Sequence, residues 1–349
     1  MVVPPSSPDR PSADRACSRR RLLGGLAIGG AAAVSLVACR MSEPTITPAS
    51  TAPTRAAAPS STAPPPLSGR DEGLAAELAV LARLDALAGA DRSKAERANL
   101  AWCERAHRRR SEALLAEAPE TRPSAPTGSA APSLPPLPTV ASPTSGAAAR
   151  KGADRALSRA ASGHRDRAVA LSGAESLFWA SLAAAATQSR VVVAAEDRVE
   201  LPGEEPEHGP YQPLTEVAAA QALLTQVHAI VFGYQVALAP VPAQDGQSWV
   251  ARLEQHRVVR DQVAELLRDR GASVPAAEPE YETGDAADSV GAARDLVARM
   301  ESALLPFTGA WVAACRGADR RRAVGWLLTG ARIAVSSGAA PRLWPGWPD

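Results

Sequence analysis

The chain of 349 residues has few aromatic side chains, few cysteines and almost no net charge. Aromatic residues make up 4% of it although 46% is hydrophobic, so its apolar content is mainly Ala, Leu and Val. This composition argues against a β-sandwich or barrel and favours an all-α protein whose helices pack through small side chains. The formal net charge of +1 provides no electrostatic footprint for nucleic acid, so we expect no nucleic-acid partner.

Several sequence signatures of enzymes are also missing. The chain contains no Gly-rich phosphate loop, no nucleophile elbow and no Cys-x-x-Cys pair. We therefore predict no catalytic residues and no cofactor, and the sequence favours a protein that is not an enzyme.

The N-terminus has the parts of an export signal in their usual order. Arg19 and Arg20 precede an uncharged run from Leu22 to Ala38, which is too short and too rich in glycine for a membrane-spanning helix. Paired arginines before a weakly hydrophobic run are typical of twin-arginine export. The run ends in Leu-Val-Ala-Cys at Cys39, which is similar to the lipobox of bacterial lipoproteins. We predict a signal peptide over 1–38 and a lipid on Cys39; an ordinary secretory signal with an incidental cysteine is the alternative.

Export and lipidation would place the protein on the outer face of the cytoplasmic membrane. Removal of residues 1–38 would leave a formal charge of −2, so lipid rather than net charge would hold the mature chain there. Residues 39–70 are rich in Pro, Ala, Ser and Thr, a composition that predicts an extended tether.

Helical periodicity and proline-rich breaks divide the rest of the chain into four parts. We predict a helical hairpin over 71–118, a disordered Pro-rich linker over 119–152, a helical segment over 153–200 and an antiparallel four-helix bundle over 211–349. The bundle helices are predicted at about 214–239, 246–270, 286–315 and 318–338, with Gly271 ending the second. Ten of the thirteen aromatic residues lie in 211–349, which predicts the main core there.

Two cysteines, Cys103 and Cys315, would remain in the processed chain besides Cys39. In an exported protein they could form one disulfide that joins the first helical hairpin to the last bundle helices. Two separate buried thiols are an equal alternative, because sequence spacing does not reveal proximity.

Polar residues interrupt the apolar stripe of the second bundle helix. His256 and Arg260 lie four residues apart on this stripe, and Glu301 or Asp261 could neutralise the arginine. Together with His228 in the first helix and Arg332 in the fourth, they predict a buried polar network, or alternatively a ligand pocket. Glu104-x-x-His107 has metal-ligand spacing, but the surrounding arginines favour a solvated basic face.

The C-terminal residues resemble the actinobacterial ferritin-like domain catalogued as domain of unknown function 4439. The resemblance covers about 214–349 and depends on the stretches 228–234, 256–261 and 278–281, on Arg332, and on the tryptophans of 344–348. It implies a ferritin-like four-helix bundle, and the family has no established activity. One departure is Val227, where the family usually has Glu.

The donor residues of a di-metal bundle are missing from 211–349. Such a site takes four inward carboxylates and two histidines, with Glu-x-x-His on two helices, and this range has no such motif. We predict no metal, and a binding or interaction module whose partner is an envelope protein or a small ligand. The alternative is a metal- or cofactor-dependent oxidoreductase that uses His228, His256 and nearby acids.

Overall fold

The computed structural model describes residues 67–89, 92–116, 118–121, 123, 133–203, 208–284 and 287–348. The predicted signal peptide, Cys39 and nearly all of the predicted tether lie outside these ranges. Within them the chain is all-α, with no strand, as the composition predicted. The helices are α1 (Arg70–Ala88), α2 (Lys94–Leu115), α3 (Gly146–Ala170), α4 (Gly173–Ala194), α5 (Glu216–Leu238), α6 (Gln247–Asp269), α7 (Val290–Ala314) and α8 (Gly317–Ser336).

Local sequence signals account for where several helices begin and end. The hydroxyl groups of Ser93, Ser145, Thr215 and Ser289 accept hydrogen bonds from backbone amides in the first turns of α2, α3, α5 and α7. After α6, Gly271 adopts a positive φ of 64°, and the amides of residues 271 and 272 donate back to the carbonyls of Arg268 and Leu267. This is a Schellman-type end, and it confirms Gly271 as the predicted stop.

The packing order of the first four helices is repeated by the last four. α1 packs against α2 and α3, and α3 packs against α4; in the same way α5 packs against α6 and α7, and α7 packs against α8. α4 also packs against α2, α7 and α8, so it joins the two groups. The predicted hairpin and the predicted helical segment are therefore parts of one four-helix group, with the ferritin-like character of the second group remaining a prediction.

One continuous hydrophobic core includes residues from all eight helices. The prediction that the main core lies in 211–349 was wrong, because alanines and leucines fill the N-terminal half as completely as aromatics fill the C-terminal half. Ala153, Ala156 and Ala160 of α3 are buried, and so is every residue of α4 from Ser176 to Ala186. Such small side chains let two helices approach closely without cavities.

Two helices, α4 and α5, are long and apolar enough to cross a membrane by length and composition alone. The most apolar 18-residue window is 78% buried inside the protein in α4 and 50% buried in α5. The central position of α4 in the fold accounts for its hydropathy, because a helix covered on several sides needs apolar residues all round.

The chain after α8 folds back onto the helices. Trp344 stacks on Phe178 of α4 with 5.6 Å between ring centroids, and the Trp347 indole donates a hydrogen bond to the Gly209 carbonyl at 3.3 Å. Close approach is possible because α7 has Gly309 opposite Gly346: a Cβ at residue 309 would overlap the Gly346 backbone. Both tryptophans are buried, so the C-terminus acts as a clasp on the core.

The predicted linker is shorter than the proline content suggested. Residues 133–145 are described without helix, but α3 begins at Gly146, inside the range predicted as linker. Its N-terminal turns are rich in Ala, which favours helix once the Ser145 hydroxyl caps the first turn.

Candidate functional site

Glu301 of α7 is the centre of a buried polar group that we call the C-terminal polar cluster. Its carboxylate accepts four hydrogen bonds: from the Tyr234 hydroxyl at 2.7 Å, from Arg252 Nε and Nη2 at 2.8 Å each, and from His256 Nε2 at 2.9 Å. The two bonds from Arg252 form a bidentate pair, the strongest geometry between these two groups. Because a carboxylate only accepts hydrogen bonds, the His256 imidazole carries its proton on Nε2.

Three helices direct these side chains to one point, and a fourth covers them. Tyr234 projects from α5, Arg252 and His256 from one face of α6, and Glu301 from α7. On α8, a Cβ at Gly330 would lie 3.5 Å from Glu301 Oε2, which is ordinary van der Waals contact. The backbone of α8 therefore lies close over the carboxylate and completes its burial.

The protonation states of the C-terminal polar cluster follow from burial and pairing. Burial raises the pKa of Glu301, but the hydrogen bonds from Arg252 and His256 outweigh it and lower that pKa to about 2. Burial lowers the pKa of His256, and burial together with the Glu301 carboxylate raises the pKa of Tyr234. At neutral pH the cluster therefore contains one carboxylate, one guanidinium and two neutral donors, and its charge sums to zero.

A second buried polar group, the N-terminal polar cluster, surrounds Glu77 of α1. His107 Nδ1 lies 2.6 Å and His164 Nε2 lies 3.0 Å from the two Glu77 oxygens, so both imidazoles donate to the carboxylate. His107 Nε2 is 3.2 Å from the Ser189 hydroxyl, and Arg110 Nη1 approaches His107 Nδ1 at 3.5 Å. All five side chains are fully buried.

The N-terminal polar cluster corrects one prediction from the sequence. His107 does not lie on a solvated basic face with Glu104; it points into the core, whereas Glu104 is only partly buried. The neighbouring arginines divide in the same way, because Arg108 and Arg109 are exposed and Arg110 is buried. Residues 107 and 110, three apart, share the inward face of α2, which a run of arginines in the sequence conceals.

Ser189, His107 and Glu77 have the donor order of a nucleophile, base and acid relay. Burial raises the pKa of Glu77, but the charges and hydrogen bonds of His107, His164 and Arg110 outweigh it and hold that pKa well below its usual range. The pKa of His107 is lowered, chiefly by burial. Because the Ser189 side chain is fully enclosed between helices, no substrate can reach its hydroxyl. The arrangement is therefore a closed core network, in which His164 Nδ1 is buried without a hydrogen-bond partner among the described residues.

The predicted site residues separate into a buried and an exposed set. His256 and Glu301 are brought together in the core, as the sequence predicted. Arg260 instead forms a 2.8 Å ion pair with Asp261 at the surface, where their side chains are 33% and 67% exposed. Steps of four residues advance 400° around a helix, so Arg260 rotates past the inward face and Val259 takes the buried position.

The other two predicted residues also lie away from the cluster. His228 is only partly buried, and its Nε2 donates to the Pro275 carbonyl at 3.2 Å. Arg332 lies on the exposed face of α8. The arginine that pairs with Glu301 is Arg252, which sequence reasoning missed although it lies four residues before His256.

Cys103 and Cys315 are separate, buried, free thiols, so the disulfide alternative was wrong. Cys103 lies on α2 within the N-terminal group, and Cys315 follows α7. Burial raises the pKa of each thiol to about 12. Both are therefore protonated at neutral pH and are poor nucleophiles.

The donor set does not fit the di-metal centre that a ferritin-like bundle would imply. Each polar cluster has one carboxylate, and in the C-terminal polar cluster a guanidinium already takes both of its oxygens. Among the described residues, no group of three or more His, Cys, Asp and Glu side chains is arranged to hold a metal ion. We derive no metal chemistry from this fold.

An open surface pocket of about 550 Å³ lies away from both clusters. Its walls are α7 around Asp295 and Arg299, the turn 338–340, Glu200 and Arg342. None of the buried cluster residues lines it, so it offers no route to either carboxylate.

Sequence and structure comparisons find similarity over the C-terminal part of the chain. Residues 218–349 match the profile of a family described as Domain of unknown function (DUF4439), which agrees with the resemblance seen in the sequence motifs. No curated protein matches the chain. A crystal structure of a conserved hypothetical protein, rv2844, from Mycobacterium tuberculosis is similar at 29% identity, with a TM-score of 0.32. That similarity covers 35% of this chain and 92% of the other. The C-terminal polar cluster lies inside the matched family range and the N-terminal polar cluster lies outside it.

Proposed function

We propose that this chain is a non-enzymatic interaction module that a lipid on Cys39 holds at the outer face of the cytoplasmic membrane. The observation that carries the non-enzymatic part is the closure of both polar clusters. Glu77, His107, His256 and Glu301 are at most 1% exposed and bond to one another or to neighbouring core side chains.

Acid–base catalysis needs different properties from these. A catalytic acid or base has to reach the substrate, and it works best with a pKa near the operating pH. Here burial and pairing move the pKa of Glu301 far below neutrality and that of Tyr234 far above it. Groups held in this way fix which helix faces meet, a role for which buried ion pairs are suited because they tolerate few alternative partners.

The membrane location is supported by the sequence. Arg19, Arg20 and the lipobox before Cys39 have the order of a twin-arginine lipoprotein signal, and the Pro-rich residues 39–70 would link the anchor to the folded body. The partner in this proposal is an envelope protein or a small ligand bound on the outer surface of the helices.

The oxidoreductase alternative receives no support from the geometry. It required His228 and His256 to share one site, but His228 binds the Pro275 carbonyl while His256 binds Glu301 inside the core. The remaining donors near His256 are already paired.

Metal content tests the non-enzymatic part. Residues 40–349, which contain the whole described body, should be purified without chelator and without a metal-binding tag. We expect less than about 0.1 metal per chain and no visible absorbance. One or two tightly bound metals per chain would refute this part of the proposal, and His256→Ala would then show whether the core supplies a ligand.

Fractionation tests the anchor. In the full chain, Cys39→Ala should move the protein from the membrane fraction to the soluble exported fraction, whereas Cys17→Ala, which changes the other N-terminal cysteine, should leave it on the membrane. Replacing Arg19 and Arg20 by Lys should retain the chain in the cytoplasm. A Cys39→Ala protein that stays on the membrane would contradict the lipid anchor.

A further inference from the structure

The solvent face of α3 carries a row of unpaired positive charges. Lys151, Arg155 and Arg159 are exposed and follow one another at intervals of four residues, so they lie along one side of the helix. We call them the α3 basic stripe. Within the described ranges, none of their three side chains forms a hydrogen bond or an ion pair.

Acidic residues on α3 do not neutralise this stripe. Asp154 pairs with Arg190 of α4 at 2.8 Å, and Asp166 pairs with its neighbour Arg165 at 3.0 Å. Both carboxylates are therefore already occupied by other arginines.

A further positive charge comes from α1. The side chain of Arg83 passes over Gly152 of α3, where an added Cβ would lie 3.7 Å from Arg83 Cδ. Arg83 Nη1 lies 3.8 Å from the same point, so the side chain packs against α3 at residue 152. Arg83 forms no ion pair with any residue that the structure describes.

The stripe does not serve the stability of α3. Like charges four residues apart on a helix repel each other and destabilise it slightly. Some other surface arginines are paired with acids, as in Arg257 with Glu254 and Arg322 with Asp319. The unpaired row is therefore a surface with free capacity for an anionic partner.

We infer that the α3 basic stripe is a contact surface for the anionic phosphate headgroups of a phospholipid bilayer. Choosing a bilayer as the partner rests on the proposed lipid anchor. The net charge of −2 for the processed chain does not oppose this, because electrostatic attraction in salt falls off within about 8–10 Å and depends on the nearest charges. A local row of lysine and arginine can therefore attract an anionic bilayer even though the net charge of the processed chain is negative.

The position of the stripe suits a tethered protein. Arg167, near the C-terminal end of α3, lies 3.9 Å from Glu72 in the first turn of α1, so the two helices run antiparallel. Arg159, the nearest member of the stripe, lies eight residues before Arg167, about 12 Å along α3 from the start of α1, and Lys151 lies beside the end of α1. Cys39 precedes Leu67 by 28 residues. A chain of 28 residues can extend to at most about 90 Å, so an anchor at Cys39 leaves the stripe free to contact the bilayer.

Vesicle sedimentation of residues 40–349 tests the inference without any lipid on the protein. Vesicles of phosphatidylcholine alone are compared with vesicles that contain 30% phosphatidylglycerol at low salt. The variant replaces Lys151, Arg155 and Arg159 by Gln. A matched control replaces three exposed arginines on other helices by Gln: Arg268, Arg294 and Arg321. Circular dichroism and urea midpoints establish that both variants fold.

We expect the parent and the control to bind the anionic vesicles and not the neutral ones. Each basic residue at an anionic surface strengthens partitioning about fivefold, so the stripe variant should bind about 100-fold more weakly. Binding of the parent should also fall when salt is raised to 0.5 M.

Equal binding of the parent to both vesicle types would overturn the inference, as would equal binding of the parent and the stripe variant. An equal loss in the control would overturn it too, because it would show that general charge is responsible. Since residues 40–349 lack Cys39, none of these outcomes bears on the lipid anchor, which the Cys39→Ala fractionation tests separately.

Discussion

Glu301→Gln is the substitution that most directly tests the C-terminal polar cluster. It preserves the size and shape of the side chain but removes its negative charge. Arg252, whose side chain is 7% exposed, would then hold a buried positive charge without a counter-charge. The variant should fold, because the hydrophobic core is unchanged, but with a smaller free energy of unfolding.

Two independent estimates give the size of the loss. Removing one partner of a buried, hydrogen-bonded ion pair costs about 3–5 kcal/mol. The depression of the Glu301 pKa from 4.5 to about 2 in the folded state corresponds to about 3 kcal/mol at 1.36 kcal/mol per pH unit. We therefore expect Glu301→Gln to lower the free energy of unfolding by about 3 kcal/mol or slightly more.

Urea unfolding at pH 7 measures this loss. The slope of the free energy of unfolding against urea concentration should be the same in all variants, which would show that they expose the same surface on unfolding. Glu265→Gln is the matched control, because Glu265 is an exposed glutamate on α6, and its replacement should change stability by no more than about 0.5 kcal/mol. Adding Arg252→Met to Glu301→Gln removes both charges and should recover part of the loss. If Glu301→Gln falls within 1 kcal/mol of the control, the ion pair is not a structural centre and the reasoning fails.

The pH dependence provides a second readout of the same group. Because the pKa of Glu301 is lower in the folded than in the unfolded state, its contribution is complete above pH 4.5 and is lost as the pH falls towards about 2. The Glu301→Gln variant should lack this part of the acid dependence. Below about pH 6.5 stability should already decline, because the folded-state pKa values of His107 and His256 are lowered and protons bind preferentially to the unfolded chain.

Three further predictions concern other parts of the fold. Arg260→Leu should change the free energy of unfolding by less than about 1 kcal/mol, because it breaks only a surface pair; a loss near 3 kcal/mol in urea unfolding would place Arg260 in the core. Gly309→Ala should lower the free energy of unfolding by about 1–3 kcal/mol and shift tryptophan fluorescence to longer wavelength, because the added Cβ overlaps the C-terminal clasp. Gly325→Ala on α8, where nothing lies within 4 Å, should leave stability unchanged or raise it by up to about 1 kcal/mol. Equal effects of the two substitutions would refute the clasp. In residues 40–349, Cys103 and Cys315 should react with a thiol reagent only when the protein is unfolded, and no reductant should be needed. Fast reaction of the native protein would contradict the burial of these two thiols.

Part of the candidate site was predictable because burial leaves a periodic trace in sequence. His256 interrupts an apolar stripe, and Glu301 was among the few acids available to it. Arg252 escaped notice because charged residues are common at the ends of amphipathic stripes, and only the packing of α8 at Gly330 shows that this end is covered. The sequence could not distinguish Arg252 from Arg260, since both lie four residues from His256.

The N-terminal polar cluster was not predictable in the same way. Its members come from α1, α2, α3 and α4, and Glu77 and His164 are 87 residues apart in sequence. Each alone is a polar residue beside others on a helix rich in charge. Only the packing of α1 on α3 brings the carboxylate to both imidazoles.

The sequence by itself determined the helical class and the bounds of the four C-terminal helices to within a few residues. Those properties depend on composition, on the 3.6-residue period and on stop signals such as Gly271, all of which act over a few neighbouring residues. The tertiary structure alone decided that α1 to α4 form a four-helix group of their own. It also decided which histidines and arginines lie inside the protein. A step of one or two residues rotates a side chain from solvent to core, and the helices that cover it come from distant parts of the chain.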